Sequence, residues 1–560
     1  MRYVLAFSLI VVGCSGTIGD KGGEGPGGGD GPSGGKDAPG SRGEPVGDEP
    51  PTLTSFSCDE KVAGGSQPRL WRLTERQYAN SLADALHGRP EDGAADLSAR
   101  KVTASLFKGD IVEGDRYTTA ALTHGIREQD LGDVLGNSGS FAYQLVERLS
   151  RETCLGNEAI AGCLPRLIES TGAILFRRPL TKAEIETYTK LAIEAEPLST
   201  KKDAAALAFS AMLAAPQFLF RVELGTKGRM DNFEVASAIA LSLTDRPPDA
   251  QLWSAAMAGE LTNKDAIKKH VERLLDSPSS SVATVQFFHQ WLRFDAAKSI
   301  DKKSNNHRPT NLIAQSNKLI SELVAQNLSE GMQEALFTTR MSFVDKDTAG
   351  VYGVQTASKT LEPIQTEGER MGVLAQPSWL AGHSQPERTD PIRRGRFVRE
   401  EILCEEVPEI DITQVAPLSE DPALTMRQKL SAHQTDPSCA GCHRLLDPIG
   451  LGMESFDHLG NFRSTEADRP LDNSGELVDS GDQDGPFKGM DGLSAKLAKS
   501  RKVGQCMMRQ SFRYWLGRTL NEGDGCSLVE AEKAFVQGKG NYRAALVAMF
   551  TSDAFLNKRR

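Results

Sequence analysis

The sequence predicts a mostly α-helical, multidomain protein. Thr74 and Thr181 each begin a capping box, and apolar residues at helical spacing follow them. Alternating strand patterns are scarce, and the clearest is a short hairpin between Gly475 and Phe487. The 560 residues have an ordinary globular composition, and this length suffices for about three or four domains.

Each predicted helix carries an apolar stripe on one face, and composition changes divide the chain into segments. In chain order, the stripes are Tyr78, Leu82 and Leu86; Leu164, Leu167, Ile168 and Leu175; Ile185, Tyr188 and Leu191; and Ile267, Val271, Leu274 and Leu275. The predicted segments are a signal peptide (1–13), a tether (14–54), three helical domains (58–150, 151–228 and 229–360), a domain with a cysteine–histidine motif (361–473) and a C-terminal helical domain (474–560).

The first residues predict export and lipid anchoring. Arg2 precedes a short apolar run that ends in Gly13-Cys14, which is typical of a bacterial lipoprotein signal with Cys14 as the acylated residue. An ordinary secretory signal with a chance cysteine is the alternative. Ser15 is not the Asp that marks inner-membrane retention, so we expect an outer membrane lipoprotein that is periplasmic or surface-exposed.

Composition and charge indicate how the protein contacts the membrane and which partners are not expected. The tether is rich in Gly and Pro and would reach roughly 35 Å as a flexible chain. No other segment is apolar enough to cross a bilayer, so membrane contact is expected through the lipid anchor only. Net charge is −10 and no basic stripe is visible, so nucleic acid is not expected as a partner.

The chemistry concentrates at Cys439-Ala440-Gly441-Cys442-His443. Two thiols at this spacing can bond both vinyl groups of one haem, and His443 can then ligate the iron. The motif therefore predicts covalently bound haem c in an exported protein. Two alternatives remain: a disulfide between Cys439 and Cys442, or a zinc site that adds His433 and His443 to these thiols.

Residues after the motif fit a haem pocket. A turn at Asp447-Pro448 could offer a backbone carbonyl to Nδ1 of His443, or Pro448 and Gly450 could simply end the helix. The candidates for the distal iron ligand are Met453, Met490, Met507, Met508 and His458. Met453 is preferred because Gly450 and Gly452 could let the chain fold back over the haem.

Two further groups of polar residues lie just upstream of the motif. Arg388, Arg393, Arg394 and Arg396 could pair with haem propionates, or they could form a solvated or ion-paired face. His383, Ser384 and Asp390 are hydrolase residue types, but no nucleophile elbow frames the serine. Hydrolysis is therefore not predicted.

Six cysteines remain after lipidation and haem attachment, and an even number in an oxidising compartment predicts disulfides. Fifteen pairings are possible. Short spacing favours Cys154 with Cys163, and a helical hairpin could join Cys506 to Cys526. Cys58 with Cys404 follows by elimination.

Several motifs together resemble a known family. Asp436–His443, Asp447–Gly450 and Glu454–Asp457 resemble the cytochrome-c-like segment of a multidomain family that is abundant in planctomycetes and myxobacteria. The resemblance continues, in the order of the family's domains of unknown function, at Arg72–Tyr78, Phe176–Thr181, Ala215–Leu219, Phe287–Leu292, Gly372–Leu374, Phe512–Tyr514 and Ser552–Phe555. It implies a periplasmic or surface haem protein and implies no substrate. Met453 departs from the variable apolar residue of the family pattern.

Three function classes follow from these patterns. The preferred one is electron transfer between the haem and a redox partner protein whose identity the sequence does not reveal. The second is a haem-dependent oxidoreductase that acts on carbohydrate or peroxide. The third is a surface binding or structural lipoprotein without a redox role, so the sequence leaves open whether the chain is an enzyme.

Overall fold

The computed structural model describes most of the chain. It covers residues 58–59, 64–93, 117–119, 126, 128–304, 307–407, 418–434 and 437–559, without the side chains of 128–129, 152, 432–434 and 437–439. The predicted signal peptide, the predicted lipidation site Cys14 and the predicted tether lie outside the described residues.

The first part of the described chain is a helical layer with one small sheet. Thr74 and Thr181 both form complete capping boxes, as the sequence predicts. In chain order, the elements are β1 (Arg69–Arg72), α1 (Glu75–His87), α2 (Glu128–Glu152), α3 (Ile160–Leu175), α4 (Lys182–Ala195), α5 (Lys201–Leu213), α6 (Pro216–Leu219) and β2 (Phe220–Glu223). Strand β2 pairs antiparallel with β1.

The middle of the chain continues with helices and a second two-stranded sheet. In chain order, these elements are α7 (Asn232–Thr244), α8 (Ala250–Met257), α9 (Lys264–Leu275), α10 (Pro278–Trp291), α11 (Pro309–Asn327), α12 (Met332–Thr338), β3 (Met341–Val344) and β4 (Glu362–Gln365). Strands β3 and β4 are antiparallel. None of the helices in the described ranges is both long and apolar enough to cross a bilayer.

The last third carries the motif and closes the fold. In chain order, its elements are α13 (Pro377–Gly382), α14 (Pro391–Phe397), α15 (Met426–Gln434), α16 (Pro437–Leu451), β5 (Thr465–Glu466), β6 (Arg469–Pro470), β7 (Ser474–Leu477), β8 (Gly485–Lys488), α17 (Gly489–Lys499), α18 (Arg501–Leu516), α19 (Gly525–Gln537), α20 (Tyr542–Thr551) and α21 (Asp553–Leu556). The β7–β8 pair is the predicted hairpin, and the mostly α fold class is confirmed.

Two large hydrophobic cores organise these elements. The first contains apolar residues from Leu73 to Leu219, together with Leu241. The second, which we call the main core, runs from Met230 to Leu556 and also includes Tyr117. It is continuous across the segment limits predicted near residues 360 and 473, so the motif domain and the C-terminal domain share its apolar packing.

The described chain contains three disulfides, one local and two between segments that are far apart in sequence. Cys154 pairs with Cys163, as predicted from their spacing. The other two predicted pairings are wrong, because Cys58 bonds Cys526 and Cys404 bonds Cys506. All six cysteines expected in disulfides are therefore bonded, but the longer links join segments that are 468 and 102 residues apart in sequence.

Two glycines let α14 and α16 pack at close range. A Cβ at Gly395 would collide with the carbonyl oxygen of Leu446, and a Cβ at Gly450 would collide with that of Pro391. These contacts make the two helices antiparallel neighbours. The motif helix is thereby held against α14.

We expect Gly450→Ala to destabilise the protein by about 1–3 kcal/mol, because the added methyl group must push the two backbones apart. The matched control is Gly441→Ala on the same helix, where an added Cβ meets nothing within 4 Å. That change should leave stability equal or raise it by up to about 1 kcal/mol. Urea unfolding of both variants checks the prediction, and equal midpoints would contradict it.

Candidate functional site

Helix α16 places the three motif residues on one face. Cys439, Cys442 and His443 occupy positions i, i+3 and i+4 of this helix, a spacing that places three residues on one helical face. Pro437 begins this helix, where the missing N–H of a proline has no cost. Two thiols and an imidazole on one helical face can reach a single planar ligand.

Cys442 carries a free thiol that is partly exposed. The predicted alternative of a disulfide with Cys439 is therefore not formed in this structure. The predicted alternative of a zinc site uses Cys439 and His433, whose side chains lie outside the described residues. Within the described ranges, no group of three or more His, Cys, Asp or Glu side chains could hold a metal ion.

His443 is oriented by a carboxylate. Its Nδ1 donates to both oxygens of Asp447 at 3.0 Å, and Asp447 is fully buried while His443 is 5% exposed. Hydrogen bonding to Asp447 raises the pKa of His443, and burial opposes this shift. The carboxylate therefore fixes the ring orientation and places the Nδ1 proton.

The turn predicted after the motif is absent. Helix α16 continues through Pro448 to Leu451, so Pro448 does not end it. The side chain of Asp447, and not a backbone carbonyl of a turn, is the acceptor for Nδ1 of His443. The motif alone did not predict Asp447 as the partner of His443. The i, i+4 spacing of these two residues on one helix is the signal that could have predicted it.

The methionines proposed as distal ligands are core residues. Met453 is fully buried in the main core, as are Met490, Met507 and Met508. His458 is partly exposed, and burial lowers its pKa. The assignment of Met453 as the distal iron ligand stays a prediction.

The arginine cluster upstream of the motif is divided between the core and the surface. Arg394 is completely buried and donates to the carbonyls of Met453, Phe456 and Asp457 and to Oγ of Ser384. Arg394 is therefore not part of a solvated face; it is ion-paired with Glu454 inside the protein, and propionate binding stays a prediction for this cluster. Arg388, Arg393 and Arg396 are exposed, and Arg396 pairs with Glu400.

Buried Glu454 faces Arg394. The two side chains approach to 3.7 Å, and Glu454 also accepts hydrogen bonds from Thr389 at 2.7 Å and Arg463 at 2.6 Å. Burial nevertheless raises the pKa of Glu454. This network joins the chain that follows α16 to α14 and to Thr389, which lies just before α14.

The hydrolase residue types upstream of the motif have structural partners. Ser384 Oγ donates to the carbonyl of Leu380 and accepts from Arg394. His383 donates Nδ1–H to the carbonyl of Trp379 and stacks on that indole ring at 4.5 Å. Burial lowers the pKa of His383 to about 3, so it stays neutral. Both side chains therefore hold local structure between α13 and α14.

A separate cavity of about 630 Å³, which we call the aromatic cavity, opens beside the chain that follows α16. Tyr352, Phe456 and Phe462 line it, and Phe462 is 56% exposed. The guanidinium of Arg370 lies 4.7 Å from the ring centroids of both Tyr352 and Phe456. Arg370 also donates to the carbonyls of Ala375 and Gly460, and these hydrogen bonds fix the position of its side chain in the cavity wall.

Four segments of the chain match family models, and each model is described as a protein of unknown function. In chain order, they are DUF1595 over 163–223, DUF1592 over 230–354, DUF1588 over 370–466 and DUF1585 over 484–555. The chain is thus a succession of domains of unknown function, as the resemblance implied. The model over 370–466, which contains α16, has the short name PSCyt3, and this name suggests a cytochrome-like domain. No curated protein and no solved structure matches the chain significantly.

We expect Arg394→Leu to lower the free energy of unfolding by about 3–5 kcal/mol, because it leaves the carbonyls of Met453 and Phe456 buried without their donor and leaves Glu454 with Arg463 as its remaining cation. The neighbouring Arg393→Leu is the matched control. Arg393 is exposed, so its loss should change stability by no more than about 0.5 kcal/mol. Equal effects of the two substitutions in chemical denaturation would show that the buried network does not stabilise the fold.

Proposed function

We propose that this succession of unknown-function domains is an exported, lipid-anchored c-type haem protein that transfers electrons on the periplasmic or cell-surface side of the outer membrane. The observation that carries the proposal is the motif on α16: a free, partly exposed thiol at Cys442 adjoins His443, whose ring a buried carboxylate orients. The match of this region to a model named PSCyt3 supports it.

The residues on α16 fit the attachment of haem. Cys439 and Cys442 would each add a thiol across one vinyl group, and His443 would ligate the iron through Nε2. Asp447 would keep the Nδ1 proton in place and hold the ring plane during this binding. The bound haem would supply a one-electron couple between ferric and ferrous iron.

The disulfides support export, and the Gly13-Cys14 sequence is the basis for the proposed lipid anchor. Three disulfides are expected of a protein that matures in an oxidising compartment, where thioether attachment of haem also occurs. Cys14 would carry the lipid, and the Gly- and Pro-rich tether would separate the folded domains from the membrane surface. The redox partner would be a protein in the periplasm or outside the cell.

We expect protein from a cytochrome-maturation host to carry one covalent haem, visible as an increase in intact mass and as a low-spin absorption spectrum. His443→Ala should abolish the low-spin spectrum, because the iron loses its axial ligand. The control Gly441→Ala keeps both thiols and the imidazole and should retain the haem. Wild-type protein without a haem adduct would refute the proposal.

A second candidate function is a haem-dependent oxidoreductase that acts on carbohydrate, and the aromatic cavity favours it. Its size suits a small organic ligand, and the exposed ring of Phe462 offers an apolar face to a sugar. Gln365, Glu367 and Asn461 supply polar groups around the ring. Because the Arg370 guanidinium already lies against two of the aromatic rings, a neutral ligand suits the cavity better than a cation does.

If this second function holds, the protein should bind cellotriose, xylotriose or mannotriose, and Phe462→Ala should weaken binding by about tenfold. Tyr143→Ala is the matched control, because Tyr143 is a similarly exposed aromatic residue on α2. Titration calorimetry with each trisaccharide measures the affinities. Absence of binding, or equal affinities in the wild type and in Phe462→Ala, would leave electron transfer as the function.

A further inference from the structure

We infer that Asp447 is the positioning residue that sets the strength of His443 as an iron ligand, so that the haem of this chain has a lower reduction potential than a haem whose histidine donates to a backbone carbonyl. The inference rests on the proposed function. It concerns a residue that is neither in the attachment motif nor a candidate iron ligand.

The geometry gives Nδ1 of His443 a carboxylate as its hydrogen-bond acceptor. Asp447 follows His443 by one helical turn, and both carboxylate oxygens lie 3.0 Å from Nδ1. Asp447 is completely buried, and little water competes for its oxygens. Hydrogen bonds to an ionised acceptor are about twice as strong as those between neutral groups.

The backbone around His443 explains why a side chain has this role. Helix α16 runs through Pro448 to Leu451, so most carbonyls near the histidine accept hydrogen bonds within the helix. The close packing of Gly450 and Leu446 against α14 keeps this part of the helix in place. The acceptor for Nδ1 therefore comes from the next turn of the same helix.

A carboxylate and a carbonyl have different effects on the iron. The negative charge of Asp447 draws the Nδ1 proton and increases the electron density that Nε2 of His443 can donate. An electron-rich ligand stabilises the ferric state more than the ferrous state. With haem bound, Asp447 would thereby shift the ferric–ferrous equilibrium towards the oxidised form and make the protein a better electron donor.

The test compares haem-loaded wild type with Asp447→Asn by spectroelectrochemical titration. At a fixed applied potential, we expect the ferric-to-ferrous ratio of the variant to be at least tenfold lower than that of the wild type. For a one-electron couple, this corresponds to a reduction potential that is higher by about 60 mV. Asp447→Glu retains a carboxylate and should restore most of the low potential. Asp479→Asn is the matched control, because it removes the same charge from an exposed residue that pairs with Arg444.

The outcomes separate this inference from the proposed function. Wild-type protein without haem would refute the proposed function itself. Haem-loaded Asp447→Asn with an unchanged potential, or with a shift no larger than that of Asp479→Asn, would refute only the role of Asp447.

A second measurement needs no haem and covers the case in which Asp447→Asn does not load it. In ¹⁵N-labelled apoprotein, Nδ1 of His443 should carry a proton that exchanges slowly with solvent. In Asp447→Asn, whose amide oxygen is a neutral acceptor, that proton should move upfield and exchange faster. Its absence from the wild type would overturn the inference.

Discussion

The buried guanidinium of Arg394 is the interaction on which the position of the motif depends. It binds the carbonyls of the chain that leaves α16, and it binds Ser384 ahead of α14. A guanidinium has five donors in a rigid plane, so one side chain can hold several segments at once. The glycine contacts between α14 and α16 complete this arrangement, because they bring the two backbones together without side chains between them.

The disulfide between Cys404 and Cys506 extends this support to the rest of the molecule. It joins the chain shortly after α14 to α18, whose apolar residues belong to the main core. The motif helix is thus linked through α14 to the largest hydrophobic cluster of the described chain. Such support suits an electron-transfer site, where small changes in ligand geometry alter the potential.

The aromatic cavity lies where two of the matched domains meet. Tyr352 belongs to the region that matches DUF1592, whereas Phe456 and Phe462 belong to the region that matches DUF1588. Ligand sites commonly form at such junctions, because neither domain alone encloses the space. If both proposals hold, the region that matches DUF1588 would carry the haem and also contribute to a carbohydrate-binding cavity.

Features that depend on residues close together in the chain could be predicted from the sequence. Capping boxes at Thr74 and Thr181, the β7–β8 hairpin, the Cys154–Cys163 disulfide and the Cys439–His443 motif all rest on contacts within a few turns of chain. The mostly α fold class follows from the same local signals. Motif spacing also located the candidate site, because haem attachment requires residues that are close in sequence.

Contacts between segments that are far apart in sequence depend on the packing of the whole chain and could not be predicted. Cys506 pairs with Cys404 and not with Cys526, because the packing of whole domains brings these sulfurs together and sequence spacing does not encode it. Arg394 and Arg393 are adjacent and identical in type, yet one is buried and the other exposed, because the rotation of α14 against its neighbours selects the inward position. The partner of His443 depended on whether the chain continued as a helix through Pro448, and the surrounding packing settled that choice in favour of Asp447.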